Sequence, residues 1–293
     1  MAVTVIGLGT MGLPIAKRLL GAGYDVVGFD VRDDARARFA QCDGARVADT
    51  ALEAVADAET VVLMLMSSQV VESVVLSGGV LDALREGSLL LDMGSSSALS
   101  TRRLAELARE RGVAYVDAPV SGGGHWSAAE GTMTIIVGGS DTDVARCMSL
   151  LQQLGTTIRH VGPAGAGHAL KAINNLLSAV TLLASSEALV LGRRFGLDPA
   201  RMMEVINASS GQSDSTTRKI PRFVITESYD SGGPLRGMLK DVRNATDLAA
   251  ELGADLRLGG AVADLWQAAA RDLPPEADYT EIARWVSGEF AES

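Results

Sequence analysis

A strand-like segment that turns at three glycines and leads directly into a helix-like segment constrains this chain most. Val3–Ile6 is a short apolar run rich in β-branched residues, and the amphipathic stretch 13–20 follows the turn. The glycines of the turn are spaced G-x-G-x-x-G: Gly7 allows a tight turn, Gly9 lets a pyrophosphate approach the backbone, and Gly12 lets the helix pack on the strand. Phosphates then meet N–H groups at the positive end of a helix. The sequence therefore predicts a dinucleotide site, the competing interpretation being a structural glycine turn.

A carboxylate downstream of the glycines suggests which dinucleotide binds. A second apolar run, 25–29, ends in Asp30, about twenty residues after the glycines, where an acid can accept hydrogen bonds from a ribose diol. The same charge repels a 2′-phosphate, which favours NAD over NADP. Arg32 keeps NADP as the alternative, because a guanidinium two residues later can bind that phosphate.

Composition excludes several classes of protein. The chain has 293 residues, enough for two domains, and 47% hydrophobic with 21% charged residues predicts a folded protein. A net charge of −10 argues against a nucleic-acid partner. Cys42 and Cys147 lack metal-ligand spacing, so we expect reduced thiols and a cytoplasmic protein. We expect no secretory signal, no membrane-spanning run and no metal.

The first 162 residues alternate between strand-like and helix-like segments, which predicts a doubly wound, mostly parallel sheet. Leu99–Glu110 and Asp141–Leu154 are two of the helix-like segments. The candidate strands are Val3–Ile6, Val26–Phe29, Val61–Met66, Leu89–Asp92, Ala114–Val116, Met133–Val137 and Thr157–Val161.

Helical patterns dominate after a glycine-rich stretch at 162–167, so residues 163–293 are predicted to form an all-helical second domain. Its candidate helices are 167–192, 199–208, 235–252, 259–271 and 278–290. Between residues 166 and 190 only Lys171 and Glu187 carry a formal charge. A helix that is apolar nearly all round is buried on several sides, as expected of a long helix that joins two domains.

Three clusters of polar residues are candidates for substrate chemistry. Lys171, Asn175 and Ser178 share one helix face, where a buried lysine can act as a general base and an asparagine can orient a substrate; an exposed lysine is the competing interpretation. Ser121-Gly122-Gly123 can present N–H groups and a hydroxyl to a carboxylate, or form a simple flexible loop. Lys240-Asp241 lies in a helical stretch, where a solvated surface pair is the ordinary interpretation.

The chain resembles the β-hydroxyacid dehydrogenases, the family of 3-hydroxyisobutyrate dehydrogenase and tartronate semialdehyde reductase, from end to end. Four ordered signatures carry the resemblance: Gly7-Leu8-Gly9-Thr10-Met11-Gly12, Asp117-Ala118-Pro119-Val120-Ser121-Gly122-Gly123, Gly167-His168-Ala169-Leu170-Lys171-Ala172-Ile173-Asn174-Asn175, and Lys240-Asp241. The resemblance implies an N-terminal Rossmann domain, an all-α C-terminal domain, and hydride transfer between NAD and a small β-hydroxy acid or its semialdehyde.

The resemblance also implies a role for individual residues. Lys171 would be the catalytic acid and base. The substrate would be held by Ser121, Gly122, Gly123, Asn174, Asn175 and Ser178. The cofactor would be bound by Gly7, Leu8, Gly9, Thr10, Met11, Gly12, Asp30, Arg32, Leu65, Met66, Ser95 and Lys240. Relatives form dimers or tetramers through the helical domain, so we expect a homodimer or homotetramer.

Some positions depart from the usual family pattern and leave the substrate open. Met66 replaces a common proline, and His125-Trp126 follows the carboxylate loop, where Trp126 either narrows the pocket or packs between domains. His160, His168 and Glu187 are interpreted as structural. The alternatives are an imine reductase-like enzyme, whose relatives generally lack the lysine, and a non-catalytic dinucleotide-binding metabolite sensor on the same fold.

Overall fold

The structure, a computed structural model, describes residues 2–122 and 124–288. Gly123, one of the predicted substrate-binding residues, lies outside this description, as do the side chains of residues 124–126, including Trp126. The chain forms two compact units, the first ending at Lys171 and the second beginning at Ala172.

The first unit is built on a single sheet. Within the described residues its nine strands are β1 Ala2–Ile6, β2 Asp25–Phe29, β3 Arg46–Val47, β4 Thr60–Leu63, β5 Leu89–Asp92, β6 Ala114–Asp117, β7 Val120–Ser121, β8 Met133–Gly138 and β9 Gly155–Gly162. The order β3-β2-β1-β4-β5-β6 is parallel throughout. β8 then pairs antiparallel with β6 and β7 and parallel with β9. The predicted doubly wound, mostly parallel sheet is confirmed.

Helices cover both faces of this sheet. They are α1 Gly12–Gly21, α2 Asp33–Ala40, α3 Ala51–Val55, α4 Ser68–Glu72, α5 Val80–Ala83, α6 Ala98–Glu110, α7 Gly124–Glu130 and α8 Asp141–Leu154, with a π-helical turn at Ser73–Ser77. Alternate strand residues point to opposite faces. Val3 and Leu91 therefore join one apolar core, with α1 and α8, while Ile6 and Leu90 join the other, with α3 to α6.

A 30-residue helix, α9 Ala166–Phe195, begins in the first unit and continues in the second. The regular elements described in the rest of the second unit are all helical. They are α10 Pro199–Asn207, a π-helical segment Ser215–Val224, α11 Leu235–Glu251, α12 Arg257–Asp272, a 3₁₀ turn Tyr279–Glu281 and α13 Ile282–Ser287. A third apolar core, around the fully buried Trp266, packs these helices together. The predicted all-helical C-terminal region and the long helix are confirmed.

By length and composition α9 is apolar enough to cross a membrane. From the sequence we expected no run with this property. The core helix of a folded domain passes the same test. Ala179, Leu182 and Leu189 of α9 are buried in the core of the second unit. Other large apolar side chains of α9 are exposed, so the helix is buried on one side and not on several sides as the sequence predicted. They include Ile173, Leu177, Leu191 and Phe195.

Candidate active site

The glycine turn has the geometry of a phosphate-binding loop. Gly7 adopts φ +96°, and a Cβ there would overlap the carbonyl oxygen of Met64. A Cβ on Gly12 would overlap the carbonyl oxygen of Gly7, whereas a Cβ on Gly9 would have no neighbour within 4 Å. Helix α1 starts at Gly12 without a side-chain cap, so its first N–H groups suit an anion. Two glycines therefore allow close packing, and Gly9 leaves space for a ligand.

Asp30 is fixed at the end of β2 beside this turn. Its Oδ2 accepts from the Leu8 amide at 2.8 Å and its Oδ1 from the Arg32 amide at 2.9 Å. The guanidinium of Arg32, half exposed, lies 3.6 Å from the same carboxylate. Each carboxylate oxygen can accept more than one hydrogen bond, so Asp30 can also accept from the hydroxyls of a ribose. The open space at Gly9, the uncapped helix and this acid fit a dinucleotide.

The predicted residues after the next two strands lie close to the same turn. A Cβ on Gly7 would lie 3.2 Å from Leu65 Cδ2, and one on Gly94 would lie 2.7 Å from the Leu65 carbonyl oxygen. Met66 is 78% exposed and Ser95 is half-buried. The ends of β1, β4 and β5 therefore meet at one edge of the sheet, as expected for a ligand site at the carboxyl ends of parallel strands.

A fully buried carboxylate fixes the start of α9. Asp117 Oδ1 accepts from the Gly165 amide and Oδ2 from the His168 amide, both at 2.7 Å. The His168 ring is buried beside it, with Nδ1 3.7 Å from Asp117 Oδ2 and 2.7 Å from Thr101 Oγ1. Burial raises the pKa of the Asp117 carboxyl, although His168 and the two amides oppose the shift. Lys171 follows one turn after His168, so this anchor sets the direction of the helix that carries it.

A second buried carboxylate holds the loop after β5. Asp92 accepts from Ser96 Oγ at 2.9 Å, from the Tyr115 hydroxyl at 3.2 Å and from the Gly94 amide at 3.0 Å. Burial, and then the charge of Asp92, raises the pKa of the Tyr115 phenol well above its ordinary value. The hydroxyl therefore stays protonated and donates to Asp92, which fixes the two residues that flank Ser95.

The carboxylate loop is described only in part. Ser121 ends β7 and is half-buried. Gly122 is exposed with φ +84°, and a Cβ there would meet open space. Gly122 therefore leaves room for a ligand, while Gly123 lies outside the described residues.

Lys171 and Asn175 lie one helical turn apart on α9, with Lys171 half-buried and Asn175 buried. Asn175 Nδ2 donates to Asp241 Oδ2 at 2.6 Å, and its Oδ1 accepts from Asn174 Nδ2 at 3.2 Å. Lys240 Nζ lies 3.3 Å from the other oxygen of Asp241. The Lys240-Asp241 pair is therefore linked to the predicted substrate residue of α9, and Asp241 leaves one N–H of the Asn175 amide for another acceptor.

Sequence reasoning missed one buried cation beside Ser178. Lys219 Nζ donates to Ser178 Oγ at 2.5 Å. The lysine belongs to the π-helical segment 215–224, for which the sequence predicted no element. The one sequence feature that points to burial of Lys219 is its position on an amphipathic segment, beside the apolar Ile220 and after the small polar residues 215–217.

Comparison with known proteins covers nearly the whole chain. Residues 2–162 match the sequence family described as the NAD binding domain of 6-phosphogluconate dehydrogenase, and residues 165–286 match the one described as NAD-binding of NADP-dependent 3-hydroxyisobutyrate dehydrogenase. The chain is 38% identical to 2-(hydroxymethyl)glutarate dehydrogenase of Eubacterium barkeri, over 84% of this chain and 81% of that protein. It is 35% identical to 3-hydroxyisobutyrate dehydrogenase of Pseudomonas aeruginosa, over 98% of each.

A solved structure agrees with these sequence matches. The 3-hydroxyisobutyrate dehydrogenase of Mycobacterium tuberculosis, solved with L-serine, superposes with a TM-score of 0.91 at 33% identity, covering 97% of this chain and 98% of that one.

Proposed function

Since the chain belongs to the β-hydroxyacid dehydrogenase family, we propose that Lys171 is the general acid and base of an NAD(P)-dependent hydride transfer on a small β-hydroxy acid. The resemblance drawn from the four sequence signatures is confirmed, as are the dehydrogenase class and the NAD(P) cofactor. Residues 1–162 would bind the dinucleotide, and residues 163–293 would bind substrate and form subunit contacts.

The alignment of Lys171 with Asn175 carries the proposal. Both side chains project from one face of α9, and Asp241 holds the Asn175 amide in a fixed orientation. Lys171 Nζ accepts the proton of the substrate hydroxyl during oxidation and returns it to the carbonyl oxygen during reduction. The second N–H of Asn175 orients the substrate, so Asp241 acts as a positioning residue.

The first unit contributes the other binding groups. When bound, the nicotinamide accepts or donates the hydride. Gly9, the start of α1 and Asp30 hold the pyrophosphate and ribose, and Leu65, Met66, Ser95 and Lys240 complete the set predicted for the cofactor. Ser121 and Gly122, with Gly123, hold the substrate carboxylate. Asp30 favours NAD, because its carboxylate would face the 2′-phosphate of NADP.

The two relatives indicate the substrate class. By their names they act on 3-hydroxyisobutyrate and 2-(hydroxymethyl)glutarate. Both compounds are β-hydroxy acids, and the second carries a carboxyethyl group, with a second carboxylate, where the first has a methyl group.

We propose further that the chain is a cytoplasmic homo-oligomer. Ile173, Leu177, Leu191 and Phe195 are exposed along α9, between 46% and 82% of each side chain. Large apolar side chains in such number on one helix suit burial by a second copy.

Replacing Lys171 tests the function directly. Lys171→Ala should lower kcat/KM for 3-hydroxyisobutyrate or 2-(hydroxymethyl)glutarate by about 10²- to 10⁴-fold, with the Kd for NADH unchanged. Lys17→Ala, at an exposed lysine of α1, is the matched control and should keep wild-type turnover. Near-normal turnover by Lys171→Ala would refute the assignment. Tight NADH binding with no turnover of any hydroxy acid by the wild type would favour a metabolite sensor.

A further inference from the structure

Lys219 is a buried cation to which the proposed reaction assigns no part. Its side chain is only 8% exposed. A lysine is seldom buried unless its charge is paired. Its Nζ donates to Ser178 Oγ at 2.5 Å and lies 5.6 Å from the centre of the Tyr279 ring. Burial lowers the pKa of Lys219, although the nearby carboxylate of Asp214 opposes that shift.

Within the described part of the chain, the charge of Lys219 is countered only in part by its neighbours. Asp214 Oδ2 lies 3.5 Å from Lys219 Nζ, but Asp214 Oδ1 also pairs with Arg218 Nε at 2.6 Å. Two cations therefore share one carboxylate, which is itself half exposed. Ser178 is neutral. An ammonium has three N–H donors. One is given to Ser178 and one is directed to Asp214, and no other oxygen of the described residues accepts the third, which we assign to a ligand oxygen.

The position of Ser178 relates this cation to the proposed reaction centre. Ser178 lies on α9 three residues after Asn175 and seven after Lys171, which places all three on one helix face. Seven residues of α-helix rise about 10.5 Å. The path from the hydroxyl oxygen across four carbon–carbon bonds to an oxygen of the remote carboxylate spans about 7 Å when extended. With a hydrogen bond of about 2.8 Å at either end it covers about 13 Å, which is long enough to bridge that rise.

We propose that Lys219, together with Ser178, binds a second anionic group at the end of the substrate remote from the reacting hydroxyl. The preferred substrate is then a β-hydroxy acid with two carboxylates, of the kind represented by 2-(hydroxymethyl)glutarate. This inference rests on the proposed function and specifies its substrate. It also accounts for the local excess of positive charge, two cations (Lys219 and Arg218) on one carboxylate (Asp214), in a chain whose net charge is −10.

The test compares one substrate of each kind on matched variants. kcat/KM is measured for 2-(hydroxymethyl)glutarate, which has two carboxylates, and for 3-hydroxyisobutyrate, which has one. The wild type should prefer the dicarboxylate. Lys219→Met should lower the ratio of the two kcat/KM values about 10- to 150-fold, the loss of one charge-assisted hydrogen bond, mainly by raising KM for the dicarboxylate. Lys219→Arg should retain part of the preference.

Arg222→Met is the matched control, because it removes an exposed cation of the same π-helical segment, three residues after Lys219. It should change the ratio less than threefold. A wild-type preference for the monocarboxylate, or equal losses on both substrates in Lys219→Met, would overturn the inference while leaving the proposed reaction intact. If Lys219→Met does not fold, Lys219→Gln and Lys219→Arg make the same comparison of a neutral with a charged side chain.

A binding measurement separates this inference from the proposed reaction. Glutarate and butyrate are titrated calorimetrically into NADH-saturated protein, which requires no turnover. Tighter binding of glutarate that is lost in Lys219→Met supports the anion site even if neither hydroxy acid is oxidised. Equal binding of the two acids, or glutarate binding that survives in Lys219→Met, refutes it.

Discussion

Adding one methyl group at Gly9 or at Gly12 should separate dinucleotide binding from folding. The two glycines lie three residues apart in the same turn, but their surroundings differ. A Cβ on Gly12 would overlap the backbone carbonyl of Gly7, and a Cβ on Gly9 would meet no protein atom within 4 Å. Gly9→Ala therefore adds its methyl group where we place the pyrophosphate, and Gly12→Ala adds it to a packed backbone.

The expected magnitudes follow from these distances. The backbone of Gly9 does not have the positive φ seen at Gly7, so alanine fits and the free energy of unfolding should change by less than about 1 kcal/mol. Loss of one charge-assisted hydrogen bond to the pyrophosphate is worth about 1.5–3 kcal/mol, which raises the Kd for NADH about 10- to 150-fold. Gly12→Ala must displace backbone and should destabilise the fold by about 3 kcal/mol or more.

Urea unfolding and calorimetric titration of NADH measure the two quantities on the same preparations. Gly9→Ala should unfold at the wild-type urea concentration and bind NADH weakly, while Gly12→Ala should unfold earlier. Wild-type NADH affinity in Gly9→Ala would refute the placement of the pyrophosphate. A loss of stability in Gly9→Ala as large as that in Gly12→Ala would refute the argument from open space.

Three further predictions concern the first unit. Asp30→Ala should lower the ratio of kcat/KM with NAD to that with NADP at least about tenfold, since the Arg32 guanidinium then faces the ribose without a competing carboxylate; an unchanged ratio would contradict this. Asp117→Ala leaves two buried amides without an acceptor, so it should lower the free energy of unfolding by about 2–6 kcal/mol. Urea unfolding measures this loss, and a loss under about 1 kcal/mol would contradict the prediction. Burial raises the pKa of the Cys147 thiol to about 11. Iodoacetamide at pH 8 should therefore alkylate the half-buried Cys42 and spare Cys147 until urea is added. Mass spectrometry that shows both cysteines modified in the native protein would contradict this.

Long periodic segments were predictable from the sequence, and short irregular ones were not. The helix predicted at Asp141–Leu154 has those bounds, because an amphipathic pattern follows Ser140, whose hydroxyl caps the helix by accepting from the Asp143 amide. β3 and β7 have two residues each, too few to show any period. The segment 215–224 contains Pro221 and is π-helical, so a 3.6-residue pattern does not describe it. At 278–290 the predicted helix is a 3₁₀ turn followed by α13, as far as residue 288 is described.

In the candidate site, too, local arrangements were predictable from the sequence and contacts between distant residues were not. The glycine turn and Asp30 were predictable because each is a local arrangement of strand end and loop. Asp117 contacts His168 across 51 residues, and no spacing rule connects them. The sequence favoured a structural role for His168 without indicating which groups it would contact. The role of Lys171 and the assigned binding residues stay predictions, with the family and the reaction class confirmed.

Lys219 illustrates why a buried charge is the hardest part of such a site to predict. Lysine is exposed in most proteins, so the sequence alone favours a solvated side chain at any single position. Its burial here depends on Ser178, 41 residues earlier in the chain, and on packing beside Tyr279, 60 residues later. Removing a charge from water costs free energy, and a buried charge is stable only where a partner offsets that cost. Among the described residues, the shared carboxylate of Asp214 offsets that cost only in part, which is the physical reason to expect an anionic group of the substrate at this position.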